Sequence, residues 1–306
     1  MWEKLKYQLT LHLIIFIWGF TAILGKWIEA DAFVLVWFRV VIAFISLLIF
    51  LLLLRRKLII TSSSNAWKTL GVGVLVALHW LTFYISIKES TASLAIICLA
   101  TTTIHVSWLE PLIMKRKFLW SELVLGIIII AGILLITGNT SGKQNMIGIA
   151  FGLLSAVLAA GFSVFNARLI QDVTASKITL YEMFSASVVM SLFLLLSPTF
   201  TMEDLFVSTN DFYLLLFLGI ICTSIAFLIT VEITKFLGAF TVTLSINMEP
   251  IYTLGLAAWF LGEHQELSVW FYIGASIIVG AVFGNAFLKY QQRKKNKKLI
   301  VNSEPS

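Results

Sequence analysis

Residues 244–254 read Leu244-Ser-Ile-Asn-Met-Glu-Pro-Ile-Tyr-Thr-Leu254, and Asn247, Glu249 and Pro250 stand near the middle of an apolar run from about Gly238 to Phe260. Proline donates no backbone hydrogen bond, and its ring crowds the carbonyl four residues earlier, here that of Ile246. The sequence therefore predicts a helix break at Pro250 and an unpaired acceptor at membrane depth. An ionisable Glu beside it adds roughly 2.5–3.5 kcal/mol on insertion scales. Both groups are accounted for if they face an internal, partly wet cavity walled by the other helices. The alternative is a mere kink at Pro250, with Glu249 a neutral acid hydrogen-bonded to a neighbouring helix.

The composition around this stretch defines the class. Of 306 residues 59% are hydrophobic and only 12% charged, against roughly 25% charged in soluble domains. The reading is an all-α integral membrane protein with a lipid bilayer as its surroundings. Uninterrupted apolar runs of about 20 residues exclude a transmembrane β-barrel, whose strands alternate. Cys98 and Cys222 lie in apolar runs with no second Cys or His at ligand spacing, so buried thiols are expected, with no disulfide and no metal. The net charge of +6 sits mostly in short loops and the tail; it signals topology and gives no reason to expect a nucleic-acid partner.

Ten spans can be marked: 9–27, 32–54, 68–88, 92–114, 120–138, 147–170, 178–197, 212–235, 238–260 and 269–288. Short polar or charged turns separate them, and none is long enough to be a folded domain. With both termini cytoplasmic, eighteen of the 22 Lys and Arg fall inside, while Lys26, Lys88 and Lys143 fall outside and Arg39 falls within a span. That asymmetry predicts a multi-pass protein of the cell membrane, plasma or inner, in this orientation. Residues 291–306 form a basic cytoplasmic tail, expected to be a solvated and flexible anchor.

The two halves of the chain resemble each other. Trp18-Gly19-Phe20 and Lys26 match Ala160-Gly161-Phe162 and Arg168 at an offset of 142, Ala92 to Ile104 matches Ala239 to Ile251 at 147, and Gly126 and Gly132 match Gly274 and Gly280 at 148. Residues 1–140 and 145–290 are thus read as two five-helix repeats. Five is odd, so the second repeat enters the membrane from the opposite side, giving an inverted repeat, the architecture of alternating-access transport around a site near the midplane.

The five-plus-five plan, the Asn-Met-Glu-Pro-Ile-Tyr segment (247–252) and the Leu-Gly-Glu turn (261–263) together resemble the EamA family of the drug/metabolite transporter superfamily. The resemblance covers nearly the whole chain. It implies secondary transport, often export, of small metabolites such as amino acids or related compounds, with a central cavity between the halves. The first repeat departs from the pattern, with Thr102-Thr103 where the second has Glu249-Pro250 and Arg116 where it has Glu263.

Counting about ten residues in from either end of a span, at 1.5 Å per residue, places Trp18, His79, Trp80, Thr101, Thr102, Thr223, Asn247 and Glu249 at one depth. Rings to cover an apolar body and a few donors and acceptors to orient it are what a solute site needs. For the aromatics ordinary helix packing is an equal alternative, and for His79 a neutral imidazole bonded to a neighbouring hydroxyl. Arg39 and Glu182 occupy shallower positions. Arg39 either binds a carboxylate or snorkels to the outer head groups, the latter being favoured, and pairing with Arg168 suffices to explain Glu182. Gly71, Gly73, Gly148, Gly152 and Ser155 have the spacing that permits close helix contacts.

Two classes of function fit a chain of this kind. One is a secondary transporter of a small, polar or zwitterionic solute, with Glu249 a candidate for proton coupling and no other cofactor. The other is a membrane-embedded enzyme acting on a lipid or isoprenoid, against which stands the absence from the sequence of His-Glu-x-x-His, Gly-x-Ser-x-Gly and nucleotide-binding motifs. A non-transporting helical scaffold or channel is a third, less well matched to an internal repeat. The sequence carries no signal for an oligomeric state.

Overall fold

The computed structural model describes residues 2–115, 120–138, 143–198, 200–237, 245–246, 248–265 and 267–301. They form helices joined by short turns: α1 Trp2–Trp27, α2 Ala32–Leu53, α3 Ser63–Glu89, α4 Ala92–Ala100, α5 Thr102–Met114, α6 Trp120–Gly138, α7 Lys143–Leu169, α8 Ala175–Leu196, α9 Thr209–Leu216, α10 Ala226–Leu237, α11 Glu249–Leu256 and α12 Val269–Val301. Seven helical stretches are long and apolar enough to cross a membrane, and Val124–Ile136 and Val269–Gly284 are shorter apolar helices. Large apolar side chains such as Leu53, Trp67, Leu196 and Trp259 remain more than 70% exposed, as a surface solvated by lipid requires.

Helix starts follow ordinary capping chemistry. The Asp31 carboxylate accepts from the backbone N–H of Phe33 and Val34, Ser62 from Asn65 and Thr91 from Leu94, each satisfying donors that a first turn leaves free. Three departures from the expected spans carry structural information. The fourth span is broken at Thr101, between α4 and α5. In the ninth, Ser245 and Ile246 are helical and α11 begins at Glu249 after a turn at Met248, with residues 238–244 and 247 outside the description. α9 and α10 are joined through a π-helical segment, Phe217–Ile225, and a second π-helical segment, Ala257–Leu261, follows α11. The basic tail also differs from expectation: α12 continues as one helix to Val301, because Gln, Lys and Arg are good helix formers and no Gly or Pro interrupts them before Pro305.

The core is α3 packed on α7 and α8, with α2 against α8 and the first π segment, and α1 lying between α10 and α11. Contacts between the two halves of the chain therefore run through its centre. Glycine permits the close crossings: a Cβ on Gly73 would lie 2.6 Å from the Glu182 carbonyl oxygen, and one on Gly152 would lie 2.7 Å from Cys98 Cβ. Gly132 of α6 and Gly274 of α12 face one another, each with its Cβ direction 2.7–3.0 Å from the other's carbonyl. Gly71, expected at such a contact, has open space around it.

The ends of the bundle are tied by named bonds. At one end the buried Asp211 carboxylate accepts from the N–H groups of Glu29 and Ala30 at 3.0–3.1 Å. The buried Glu263 carboxylate accepts from Ala92 and Ser93 at 2.8 and 2.9 Å. Lys26 and Lys88 donate to the Ser90 and Ile28 carbonyls beside them. At the other end Lys177 donates to the Ile59 carbonyl and the Tyr181 hydroxyl accepts from Ile60 N–H. Turns expected on one side of a membrane are thus bonded to each other.

Candidate functional site

Arg39 is the residue around which the centre of the bundle is assembled. It lies about 10 Å along α2 from the helix start at 1.5 Å per residue and is only 4% exposed. The favoured expectation that it snorkels to the head groups is therefore overturned: α2 turns this face inward, onto α3 and the π segment. Its Nε donates to Thr223 Oγ1 at 3.2 Å, its Nη1 to the Tyr84 hydroxyl at 3.1 Å, and its guanidinium carbon lies 3.9 Å from the centroid of the Trp80 ring. Tyr84 passes its own proton to the Thr21 carbonyl at 3.4 Å. No ion pair reaches Arg39 among the described residues, although its charge reaches Glu249.

The π segment makes two of these contacts available. Ala226 N–H reaches the Ile221 carbonyl, five residues back, instead of the Cys222 carbonyl of a regular turn. That carbonyl accepts from the Trp18 indole at 3.0 Å. Thr223 hydrogen-bonds the Leu218 carbonyl, also five residues back, while accepting from Arg39. Ser224 bonds Ser46 and the Ala43 carbonyl, and Gly219 lets this segment approach Ile42 and the Arg39 backbone. π-helical turns recur at functional sites because they free backbone groups and re-aim side chains.

Of the residues expected at one depth, the structure brings Trp80 and Thr223 onto Arg39, which was expected shallower, and Trp18 onto the Cys222 carbonyl beside Thr223. Glu249 opens α11 and is partly buried. Pro250 is in the first turn of α11. There a missing N–H costs nothing; Ser245 and Ile246 before it are helical and Met248 N–H bonds the Ser245 carbonyl, so the backbone turns at Met248 just ahead of Pro250. Asn247 lies outside the described residues.

The others go elsewhere. His79, although adjacent to Trp80, points to α7, where Nδ1 lies 2.8 Å from Ser155 Oγ and 3.1 Å from its carbonyl, while Ser155 Oγ donates to the His79 carbonyl at 3.0 Å. This matches the imidazole–hydroxyl alternative. Thr101 and Thr102 donate to the Cys98 and Leu99 carbonyls at 2.6 Å and so close the end of α4. Glu182 is buried between α3, α7 and α8, near the Asn166 side chain, and Oε1 has no hydrogen-bond partner among the described residues. The expected partner Arg168 bonds the Ile113 carbonyl instead.

A cavity of about 220 Å³ lies between α4, α11 and α12, lined in part by Ser93, Ile251, Leu254, His264 and Phe271. Neither Glu249 nor Arg39 borders it. Sequence reasoning missed Tyr84, although its spacing of four from Trp80 puts both on one face of α3. It also missed Cys222, whose contribution is a carbonyl freed by local geometry.

A family model described as the EamA-like transporter family matches residues 5–138 and 146–287. The chain belongs to the EamA-like transporter family. Two proteins of Bacillus subtilis (strain 168) are similar to this EamA-like protein. An uncharacterized transporter, YdfC, is 27% identical over 221 residues, covering 71% of this chain and 70% of the relative. A second uncharacterized transporter, YcbK, is 24% identical over 254 residues and covers 81% of each. A solved crystal structure shares the fold, with a TM-score of 0.62 at 15% identity over 91% of this chain and 96% of that one. This EamA-like chain is thus a multi-pass membrane protein of transporter type and not an enzyme.

Proposed function

We propose that this protein exports a small metabolite, such as an amino acid or related compound, by alternating access across the cell membrane with both termini cytoplasmic. Its ten helices form two inverted repeats of five, 1–140 and 145–290, rocking about a site formed where they meet. The observation that carries the reading is the Arg39 cluster. Side chains of α2 and α3 from the first half meet Thr223 of the second, at the depth where the Trp18 indole crosses to the Cys222 carbonyl. A binding site whose polar contacts bridge both halves changes shape when they rock, as coupling of occupancy to conformation requires. The two segments matched by the family model support the same division of the chain.

Purified protein in proteoliposomes, loaded with a mixture of amino acids and other small metabolites and followed by mass spectrometry, tests this. Selective loss of one solute or one chemical group of solutes is the expected result. Unselective loss of the whole mixture marks a channel, and retention of everything overturns the transport reading.

A further inference from the structure

We propose that Arg39 is the anchor for a carboxylate on the transported solute, an inference that rests on the transport reading and names the chemistry of its substrate. A guanidinium carries five N–H donors in a fixed fork. Here one goes to Thr223 and one to Tyr84, and Nη2 donates to no described residue. The groups that touch Arg39 are uncharged: two hydroxyls and the Trp80 face, with the Tyr84 ring 5.7 Å away. A cation 4% exposed and surrounded by neutral partners is a costly arrangement at this depth unless a counter-charge arrives.

The chemistry of that counter-charge follows from the rest of the cluster. Among the described residues the groups in contact with Arg39 include no second cation, so the cluster presents a single positive charge to a ligand. A monovalent carboxylate, with two oxygens matched to the planar fork, fits better than a phosphate dianion. Two hydroxyls, of Tyr84 and Thr223, stand beside the fork to orient the same group. Trp80 and Tyr84 supply ring faces, and Trp18 lies beside Phe227 at 5.7 Å between centroids, enough to cover an apolar body.

Tyr84 and Thr223 hold the guanidinium in position. The carboxylate takes up the Nη donors that these neutral groups leave, so the anchor is positioned before the solute arrives.

The test measures the thermal unfolding midpoint of the purified, detergent-solubilised protein with two matched sets of probes at millimolar concentration. One set is L-phenylalanine, L-phenylalaninamide and 3-phenylpropionate; the other is L-leucine, L-leucinamide and 4-methylpentanoate; inorganic phosphate is run beside both. Carboxylates of at least one set are expected to raise the midpoint by about 2 °C or more, with their amides and phosphate giving no shift. Arg39→Lys is expected to keep a reduced shift and Arg39→Met to lose it. Neutral Met fills the volume without a buried charge, so the variant folds with a midpoint at least that of the wild type. Amides that stabilise as well as acids, no carboxylate shift in either set, a shift with phosphate that equals the carboxylates, or discrimination that survives in Arg39→Met would each overturn the anchor. The same probes in the proteoliposome assay separate the two readings. Carboxylate binding without flux removes the transport reading and leaves the anchor, whereas equal flux of acid and amide removes the anchor and leaves transport.

Discussion

The Arg39 guanidinium carbon lies over the Trp80 ring, 3.9 Å from its centroid, so a side chain of α2 sets its charge against a ring of α3. A cation over an aromatic face is worth about 0.5–2 kcal/mol, the higher figure applying when the pair is desolvated. Trp80 is 6% exposed, so its role in packing and its role beside Arg39 must be separated by conservative change. Trp80→Phe is expected to lower stability by less than about 2 kcal/mol while sharply reducing solute flux. Trp80→Ala, which leaves a ring-sized hole, is expected to cost about 3–5 kcal/mol. Thermal melts beside proteoliposome flux decide; full flux in Trp80→Phe would return Trp80 to a packing role.

His79 and Ser155 form a reciprocal pair between α3 and α7. An Asn side chain can place its amide nitrogen where Nδ1 stands, so His79→Asn should fold and transport with stability within about 1 kcal/mol of the wild type. His79→Phe leaves Ser155 without its ring partner and should cost about 1–3 kcal/mol. A well-folded His79→Asn that transports nothing would show that the imidazole does more than join the two helices.

Glu263 occupies the Leu-Gly-Glu turn, where Gly262 at φ +68° takes the left-handed conformation that lets the chain reverse. Its carboxylate caps α4 from across the fold. Glu263→Ala is expected to cost about 2–4 kcal/mol, since two charge-assisted bonds go and two buried N–H groups lose their acceptor. Glu263→Gln keeps one oxygen acceptor and should fall between the two. A melt of Glu263→Ala indistinguishable from wild type would remove this capping role.

Glu249 opens α11 within the field of Arg39. With its proton travelling against or alongside the solute, Glu249→Gln, which mimics the neutral acid, should bind solute and permit downhill exchange yet lose accumulation driven by a pH gradient. Flux into proteoliposomes with and without an imposed gradient reads this out. Undiminished gradient-driven uptake by the variant would eliminate proton coupling at this residue.

The orientation can be read from single cysteines in a background lacking Cys98 and Cys222. Cysteines in 55–67 should label only from the cytoplasm and cysteines in 200–208 only from outside. Labelling of both from one face would break the inverted repeat.

Depth along a helix was readable because each residue advances a fixed distance. Counting therefore placed Trp18, Trp80 and Thr223 at the level where the structure joins them. Rotation about the helix was not readable in the same way. His79 is one residue, about 100°, from Trp80 and meets a different helix, and Arg39 turns inward although an Arg at that height can also reach head groups. Thr101 and Thr102 carry hydroxyls of the right kind, but in apolar surroundings such hydroxyls bond carbonyls of their own helix. Pro250 marks an interruption from its chemistry alone, but whether a proline bends a helix or opens a new one depends on the turn before it, here at Met248. The π segment has no sequence signature, because Phe217–Ile225 has the composition of any apolar helix.

The bonds at the two ends of the bundle differ in how water can act on them. Asp211 and Glu263 are 2% and 4% exposed, so no solvent molecule can replace one of their backbone donors until the helices have already separated. Each carboxylate holds two neighbouring backbone donors, Glu29 with Ala30 and Ala92 with Ser93, so each pair shares one acceptor group. Around Arg168 and Lys177, whose bonds to the Ile113 and Ile59 carbonyls are exposed, water can exchange in contact by contact. The ties at one end are thus sealed from water, while those at the other stand in contact with it.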